Sequence, residues 1–229
     1  MKKIFVTLLA FAAMFSSCSS PYYPEYHDIV ALGVESTSNS ICDYSEGDYA
    51  LSILSNMPYE ATIISGHEWL KFKDTDSNVR QGNGNEVVNF HYFQNNNVKR
   101  MARLVLSAKS RRDTIKIKQL GREIELLEIH KESLPLFTMN DQTRMPVAWE
   151  GGEYQVRLVS SCMDHQLSTW SSDDTIVSGF RIDNKVLTFN VAENNEKQPR
   201  IVTIQVSYID GWDEKHILEF TIRQMYNQE

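Results

Sequence analysis

The segment "YIDGWDEK", residues 208–215, places one tryptophan between two aspartates. Sugar rings present apolar C–H faces that stack on flat aromatic side chains, while their hydroxyl groups bind carboxylates and amides. An Asp-Gly pair between two alternating segments is a strong signal for a hairpin turn, from which a side chain reaches a core poorly. The sequence therefore predicts a ligand-binding site at Trp212, with Asp210 and Asp213 beside it. The alternative is that Trp212 folds back on its own hairpin or on an adjoining domain.

Residue patterns that would support catalysis or metal binding are scarce. The six histidines show no HxH or HExxH spacing, and the chain has no GxSxG elbow or phosphate-binding loop. Asp173 and Asp174 are adjacent, and adjacent strand residues point to opposite faces, so they do not form the carboxylate pair of a glycosidase. The acidic stretch "DTDSNVRQGNGNE" departs from a calcium-binding loop because Val79 stands where that loop requires glycine. We therefore expect no enzyme activity, no metal and no cofactor.

Two short motifs could be modification sites. "DTI" occurs at residues 113–115 and again at 174–176. It is similar to the short acceptor that Bacteroidetes use for O-glycosylation of exported proteins, which would place glycans on Thr114 and Thr175. A motif of three residues also recurs by chance, which is the alternative explanation.

The N-terminal sequence "MKKIFVTLLAFAAMFSSCSS" has two lysines, an apolar run at residues 4–15 and small residues before Cys18. This is the layout of a secretory signal, and the run is too short to span a membrane comfortably. "FSSC" is similar to the looser bacterial lipoboxes of the Bacteroidetes, which implies cleavage before Cys18 and lipid attachment to its sulfur. The alternative is an ordinary signal peptide with an incidental cysteine. A lipid on Cys18 would anchor the protein in the outer membrane, at the cell surface or the periplasmic face.

Composition narrows the class of partner. The net charge is −7, so binding to nucleic acid has no electrostatic support, and the short basic cluster "SAKSRRD" is interpreted as a solvated hairpin. Without residues 1–17, roughly 210 residues remain, enough for one large β domain or for two of about 100 residues. The segment "SSPYYPEYHD" contains two prolines and few aliphatic residues, which is typical of an extended tether.

The elements that would position the candidate residues are strands. "DYALSIL", "VVNFHYF", "RLVLSA" and "TIKIKQL" alternate apolar and polar residues, and turn-forming segments such as "QNNN" separate them. Alternation with β-branched and aromatic enrichment predicts half-buried antiparallel strands. The one helix candidate, "REIELLEIHKES", is interpreted as a linker that enters a strand.

The second half of the chain repeats the order of the first. "GGEYQVRLVSS" matches "EGDYALSILSN", and "LTFNVAENNEKQPR" matches "VNFHYFQNNNVKR", which pairs Arg100 with Arg200. The terminal strands pair Gln119 with Gln224. A repeat of roughly 100 residues made of short strands indicates a duplicated β-sandwich domain. The recurring Asn, Arg and Gln residues are expected to be architectural, because they lie at turns and strand ends.

Each copy has a glycine-led tyrosine strand, a tryptophan region ("EWLKF" around Trp69, and Trp170), an "NN…R" step and a terminal strand ending in glutamine. This pattern resembles the BACON-type modules of Bacteroidetes, immunoglobulin-like sandwiches found in secreted and lipid-anchored proteins. The second copy departs from it, because no leucine follows Trp170 and its "YIDGWDEKH" hairpin is long. The resemblance covers nearly the whole mature chain and implies binding of carbohydrate or mucin, or a spacer role.

The predicted organisation is all-β, with two tandem immunoglobulin-like β-sandwiches after a cleaved lipoprotein signal peptide. The signal peptide covers residues 1–17, the lipid-anchored tether 18–28, and the two sandwiches 29–121 and 122–229.

Three further tryptophans are assigned by analogy with other sandwiches, which commonly hold a buried tryptophan. We expect Trp69 and Trp170 to fill the two cores, and Trp149 to pack at the seam between the domains.

The function that the sequence predicts is a non-enzymatic surface or periplasm-facing lipoprotein that binds a glycan or a glycoprotein. Its partners would be the membrane, through the lipid anchor, and carbohydrate or glycoprotein, but not nucleic acid. The alternative is a structural or adhesive subunit that binds another protein through an exposed sheet edge, or a spacer. The sequence does not indicate an oligomeric state.

Overall fold

A computed structural model describes residues 30–35, 41–138 and 143–227 of the chain. Its strands form four sheets, and helical backbone within these ranges is limited to two short 3-10 turns, Leu134–Leu136 and Asp164–Gln166. None of the helices in the described ranges has the length and apolar character needed to cross a membrane. The strands in chain order are β1 Leu32–Val34, β2 Ile41–Cys42, β3 Gly47–Ser55, β4 Pro58–Ser65, β5 Leu70–Phe72, β6 Val79–Asn83, β7 Glu86–Tyr92, β8 Arg100–Ala108, β9 Arg111–Gln119, β10 Leu127–Ile129, β11 Arg144–Val147, β12 Gly152–Ser160, β13 Ser168–Ser171, β14 Val177–Asp183, β15 Val186–Val191, β16 Arg200–Ile209 and β17 Lys215–Gln224.

Strands β1 to β9 build the first sandwich. One sheet has the order β1-β3-β7-β5, and the other has the order β2-β9-β8-β4-β6. β1 pairs antiparallel with β3, whereas β2 crosses to the other sheet and pairs parallel with the last strand, β9. β1 and β2 together correspond to a first strand whose two parts belong to different sheets, an arrangement that is typical of immunoglobulin-like sandwiches.

Strands β10 to β17 build the second sandwich by the same plan. Its sheets have the orders β10-β12-β15-β14 and β11-β17-β16-β13, and β11 again pairs parallel with the last strand, β17. β10, β11 and β12 therefore correspond to β1, β2 and β3, and β15, β16 and β17 correspond to β7, β8 and β9. The expected all-β class with immunoglobulin-like sandwiches is confirmed.

Each sandwich has its own apolar core, built from the residues that alternate inward on facing sheets. Phe90 and Phe189, at matching places in the two copies, are fully buried. Both pack against a tyrosine of the neighbouring strand, Tyr49 in the first core and Tyr154 in the second. The alternating apolar residues seen in the sequence therefore face the core in both copies, at matching positions.

A buried polar cluster closes one end of the first sandwich. The Gln119 side-chain amide donates to the carbonyl oxygens of Asp43 and Phe93 at 3.0 and 2.9 Å, and its oxygen accepts from Arg100 Nε at 2.8 Å. Asn95 Nδ2 donates to two loop carbonyl oxygens at 2.8 and 3.0 Å. The cluster pairs backbone groups that burial would otherwise leave without water or a partner.

The same cluster recurs in the second sandwich. Arg200 Nε and Nη2 donate to Gln224 Oε1 at 3.2 and 2.7 Å, and Asn194 Nδ2 donates to two carbonyl oxygens at 3.0 and 2.8 Å. Asn194 and Gln224 are buried, as are their counterparts in the first copy. These contacts agree with the architectural role expected for the repeated polar residues.

The two sandwiches differ at one edge. In the first, β4 has eight residues and β6 pairs beyond it. In the second, the counterpart β13 has four residues and is itself the edge of its sheet. The edge of the opposite sheet is β14, whose register is irregular between Ser178 and Arg181, where Gly179 has a φ of 66°. A cleft opens between these two edge strands.

The positions of the other three tryptophans differ in part from those that the sequence predicted. Trp69 is buried in the first core, as expected. The prediction that Trp170 fills the second core is wrong, because β13 directs this side chain to the solvent-facing side of its sheet, where it is 52% exposed. Trp149 does not lie at the seam. Its carbonyl oxygen accepts from Gln224 Nε2, at the far end of β17 from the hairpin that touches the first sandwich.

Candidate functional site

Trp170 lies near the middle of the edge strand β13 and faces solvent. It is opposite Gln205 of β16, which in turn is opposite Glu219 of β17. These side chains share the outer face of the sheet, because the neighbours of Gln205 and the residue after Glu219 are buried. Gln205 Nε2 donates to Glu219 Oε2 at 2.7 Å, which fixes the orientation of both groups. An aromatic plane therefore stands beside a row of oriented polar groups.

The cleft between β13 and β14 has a volume of about 590 Å³. Two aromatic residues, Trp170 and Phe180, line it together with small polar residues such as Ser172 and Ser178. Gly179 contributes to its wall, and a side chain there would be strained, because φ is positive and a Cβ would lie 2.7 Å from Asn190 Nδ2. Concave surfaces with a few aromatic groups and a few polar groups are typical of small-ligand sites.

The loop 172–176 borders the cleft and is held by its own hydrogen bonds. Asp173 Oδ1 accepts from the backbone N–H and the hydroxyl of Thr175, at 3.0 and 2.6 Å. The Thr175 hydroxyl, with the help of backbone N–H groups, holds the pKa of the Asp173 carboxyl below its usual range. The neighbouring Asp174 is exposed, and its carboxylate makes no hydrogen bond or ion pair with any residue that the structure describes. A preformed loop thus offers one unpaired carboxylate to the cleft.

The groups that line this cleft are of kinds that can contact a sugar. An exposed indole can stack on the C–H face of a sugar ring, and carboxylates and hydroxyls can pair with the ring's hydroxyl groups. Sequence reasoning missed Trp170. Trp69 directly precedes β5, whereas Trp170 lies in β13, the counterpart of β4, so the two tryptophans do not hold equivalent places. The signal that was available is the departure of the second copy from the repeat, where Ser171 and not a leucine follows Trp170.

The predicted site residue Trp212 lies at the seam, where the β16–β17 hairpin meets the first sandwich. Its Nε1 donates to the carbonyl oxygen of Arg100 at 3.0 Å. The ammonium groups of Lys99 and Lys118 lie 4.7 and 4.6 Å from its ring centroid, within cation–π range. This is the alternative in which Trp212 packs on the adjoining domain. Its ring and its N–H group are engaged by protein, so these contacts give no support to ligand binding there.

Asp210, the second predicted site residue, is also committed to the seam. Its side chain is fully buried, and its Oδ1 accepts from two backbone N–H groups of the hairpin at 2.8 and 2.9 Å. Its Oδ2 lies 2.7 Å from Lys99 Nζ and 2.6 Å from His216 Nε2. Asp213, the third, is more exposed and lies 2.9 Å from both Arg103 Nη2 and Lys116 Nζ.

Glu125, from the segment that joins the two sandwiches, completes the seam cluster. Its Oε2 lies 3.2 Å from Lys99 Nζ and 3.4 Å from His216 Nε2. One ligand atom each of Glu125, Asp210 and His216 fall within 4.8 Å of one another, a spacing that a metal ion could use. Lys99 Nζ lies among these atoms and supplies the positive charge itself. The cluster is therefore best described as a buried ion-pair network.

The network shifts its members' pKa values in different directions. Burial raises the pKa of the Asp210 carboxyl, but hydrogen bonds from Lys99 and His216 outweigh it and hold the pKa well below its usual range. Burial raises the pKa of Glu125, and the Lys99 ammonium offsets this only in part. Burial lowers the pKa of Lys99, but its carboxylate partners outweigh it and raise that pKa. Asp210 and Lys99 therefore stay ionised at neutral pH.

The predicted modification sites fall in different places. Thr114 is exposed on β9, and Thr175 is exposed in the loop 172–176 with its hydroxyl donated to Asp173. Cys18, with the signal peptide and the tether, lies outside the described residues. Modification of these three residues stays a prediction.

Comparison with protein families finds no match, and comparison with curated proteins finds none either. Among solved structures, a Bacteroides ovatus GH5 xyloglucanase in complex with a XXXG heptasaccharide is 16% identical over 53% of this chain and 27% of its own, with a TM-score of 0.34. A chimeric titin Z1Z2-Z1Z2 tandem is 7% identical over 86% of this chain and 100% of its own, with a TM-score of 0.37.

Domains 5-6 of the S-layer protein SbsC are 7% identical over 87% of this chain and 99% of their own, with a TM-score of 0.29. This chain spans about a quarter of the length of the xyloglucanase, since 27% of that enzyme is covered. The sandwich fold is defined by the strand pairing described above, and these similarities add no functional argument.

Proposed function

We propose that this protein is a non-enzymatic glycan-binding module and that the cleft beside Trp170 is its sugar-binding site. The observation that carries the proposal is the 52% exposure of a tryptophan that lines a cleft with both polar and apolar groups. Large aromatic side chains are highly buried on average. One that stays exposed beside a concave surface with a few polar groups is typical of a ligand site. The fixed Gln205–Glu219 pair and the preformed loop 172–176 reduce the ordering that a ligand would have to impose.

A glycan array with wild-type protein and the Trp170→Ala variant tests this proposal. We expect the wild type to bind a subset of glycans and the variant to lose about 1–3 kcal/mol of binding free energy, as truncation of a central aromatic contact does. Ile201→Ala is the matched control, because Ile201 is 64% exposed in the same sheet but does not line the cleft. Binding that survives in Trp170→Ala, or a wild type that binds no glycan, contradicts the proposal.

The proposed location is the outer membrane, with the protein anchored by a lipid on Cys18. The charged start, the short apolar run and the "FSSC" segment support it. Cys18→Ala should release the protein from the membrane fraction and abolish incorporation of labelled fatty acid. Retention and labelling that persist in this variant would exclude the anchor.

A second candidate function is a spacer that holds another domain away from the cell, and the contacts at the seam favour it because they would keep the two sandwiches in a fixed arrangement. Lys99 contacts three carboxylates of the linker and the second sandwich, and Trp212 reaches back to the first sandwich. A spacer needs such a joint but needs no exposed tryptophan. A wild-type protein that binds no glycan on the array and whose two sandwiches keep a fixed arrangement in solution would favour the spacer function.

A further inference from the structure

The side chains around the Trp170 cleft share one chemical property, which is that none of them carries a positive charge. Its polar lining consists of serine and threonine hydroxyls and of two carboxylates, Asp173 and Asp174. Glu219 adds a further carboxylate on the same sheet face, in the row that begins with Trp170. The chain as a whole has a net charge of −7, so the long-range field has the same sign.

Cationic side chains that lie near the cleft in sequence, or that act on it through their charge, are committed elsewhere. Lys185 Nζ lies 3.1 Å from Asp164 Oδ1. Arg181, which follows Phe180 on β14, lies 3.3 Å from Glu153 Oε2. The Arg200 guanidinium donates to Gln224 Oε1 and to two loop carbonyl oxygens, at 3.0 Å each. Arg200 influences Asp173 through its charge, but its N–H groups are directed into the polar cluster of the second sandwich. Neither arginine offers the cleft the free bidentate fork that recognises carboxylate, sulfate or phosphate groups.

We infer that the Trp170 cleft selects neutral glycans and rejects anionic ones. This inference rests on the proposed glycan-binding function. Hydroxyl groups of a neutral sugar donate hydrogen bonds, and the unpaired Asp174 carboxylate is an acceptor for them. A sialic acid, uronic acid or sulfate group in the same place would set two negative charges close together with no cation between them. Two negative charges in contact repel each other, and the repulsion is strongest at low ionic strength, where salt screens it least.

The test compares matched pairs of oligosaccharides that differ only in an acidic group, such as lactose and sialyllactose, or N-acetyllactosamine and its sulfated form. We expect each glycan that binds through Trp170 to bind at least fivefold more weakly in its acidic form at low salt. This ratio should narrow at high salt, where charges are screened.

Charge variants of one residue identify the group responsible. Asp174→Asn should narrow the neutral-to-acidic ratio, and Asp174→Lys should reverse it for at least some pairs. Asp76→Asn is the matched control, because it removes an exposed aspartate of the first sandwich and should leave the ratio unchanged. Circular dichroism checks that each variant is folded.

The possible results separate this inference from the proposed function. Binding that is absent, or that is insensitive to Trp170→Ala, overturns the proposed function and this inference with it. Binding that is lost in Trp170→Ala but is stronger for the acidic member of the pairs overturns the inference alone. Binding that is lost in Trp170→Ala and does not distinguish the members of a pair also overturns it.

Discussion

At the scale of single residues, two buried glutamines hold equivalent places in the two sandwiches. Gln119 and Gln224 each accept from an arginine and donate to carbonyl oxygens of neighbouring loops. Such a side chain matters less for the energy of its own bonds than for the unpaired groups that its loss would leave buried.

Replacing Gln119 with alanine should therefore lower the free energy of unfolding of the first sandwich by roughly 2–3 kcal/mol, since carbonyl oxygens and Arg100 lose their partner. Urea denaturation measures this change. Gln205→Ala is the matched control, because Gln205 lies on the outer face of a sheet, and its effect should stay within about 0.5 kcal/mol. Equal effects of the two changes would show that the buried cluster has no special structural role.

The Asp210 carboxylate should make stability depend on pH in a defined direction. Its pKa is depressed in the folded protein, so its contribution is fully present above the unfolded pKa of about 3.9 and is lost as pH falls through the folded value. We expect Asp210→Asn to cost roughly 2–4 kcal/mol at pH 5 to 7, because it removes one partner of a buried ion pair.

The difference between wild type and Asp210→Asn should shrink as pH falls below about 4, because the unfolded wild type then takes up a proton on this carboxyl while the folded protein still keeps it ionised. Denaturation curves at several pH values measure it. Asp213→Asn is the control, since its carboxylate is on the surface and its loss should have little effect. A difference that stays constant down to pH 2 would contradict the ion-pair description of the seam.

At the scale of elements, the cleft depends on how the second sandwich ends at its edges. The first sandwich covers the equivalent edge with β6, whereas β13 is short and has no strand beyond it in the described part of the chain. On the other side, the irregular stretch of β14 at Gly179 bends the opposite edge. Irregularities of this kind often redirect side chains next to binding sites.

Gly179→Ala should disturb this edge, because the residue has a φ of 66° and an added Cβ would crowd Asn190. We expect a loss of roughly 1–2 kcal/mol in stability from the strained backbone and a parallel loss of glycan affinity. Gly33→Ala is the matched control, since no atom lies within 4 Å of a Cβ placed there. Unchanged glycan affinity in Gly179→Ala would show that the shape of β14 is not needed for binding.

Across the whole molecule, the β16–β17 hairpin of the second sandwich packs against the first sandwich. Gly211 allows close approach, because a Cβ there would lie 2.2 Å from the carbonyl oxygen of Lys99, a backbone atom that cannot move aside alone. Trp212 and Asp210 then make their contacts with the first sandwich from either side of this glycine.

Gly211→Ala should therefore loosen the seam while leaving both sandwiches folded. We expect a larger radius of gyration by small-angle X-ray scattering and unchanged β-type circular dichroism. Gly33→Ala again serves as the control. An unchanged radius of gyration would mean that the seam does not depend on this close approach.

The sequence predicted the architecture better than the site, for physical reasons that particular residues make clear. The alternation of apolar and polar residues and the matching positions of Arg100 and Arg200 depend on local structure. In both copies the predicted strands form, and each arginine begins a strand. In "STWS" one large apolar residue stands among small polar ones, so alternation cannot say which face Trp170 takes. The engagement of Trp212 depends on Lys99 and Arg100, more than a hundred residues away in the chain, and no local pattern encodes such a contact.

The most direct test of the glycan-binding proposal is isothermal titration of one array-selected glycan into three proteins: wild type, Trp170→Ala and Trp212→Ala. We expect Trp170→Ala to weaken binding at least fivefold, equivalent to about 1 kcal/mol, because it removes the exposed stacking surface. Trp212→Ala should keep the wild-type affinity, because its indole is held by the first sandwich. Retained affinity in Trp170→Ala together with lost affinity in Trp212→Ala would contradict the assignment of the binding site to the Trp170 cleft.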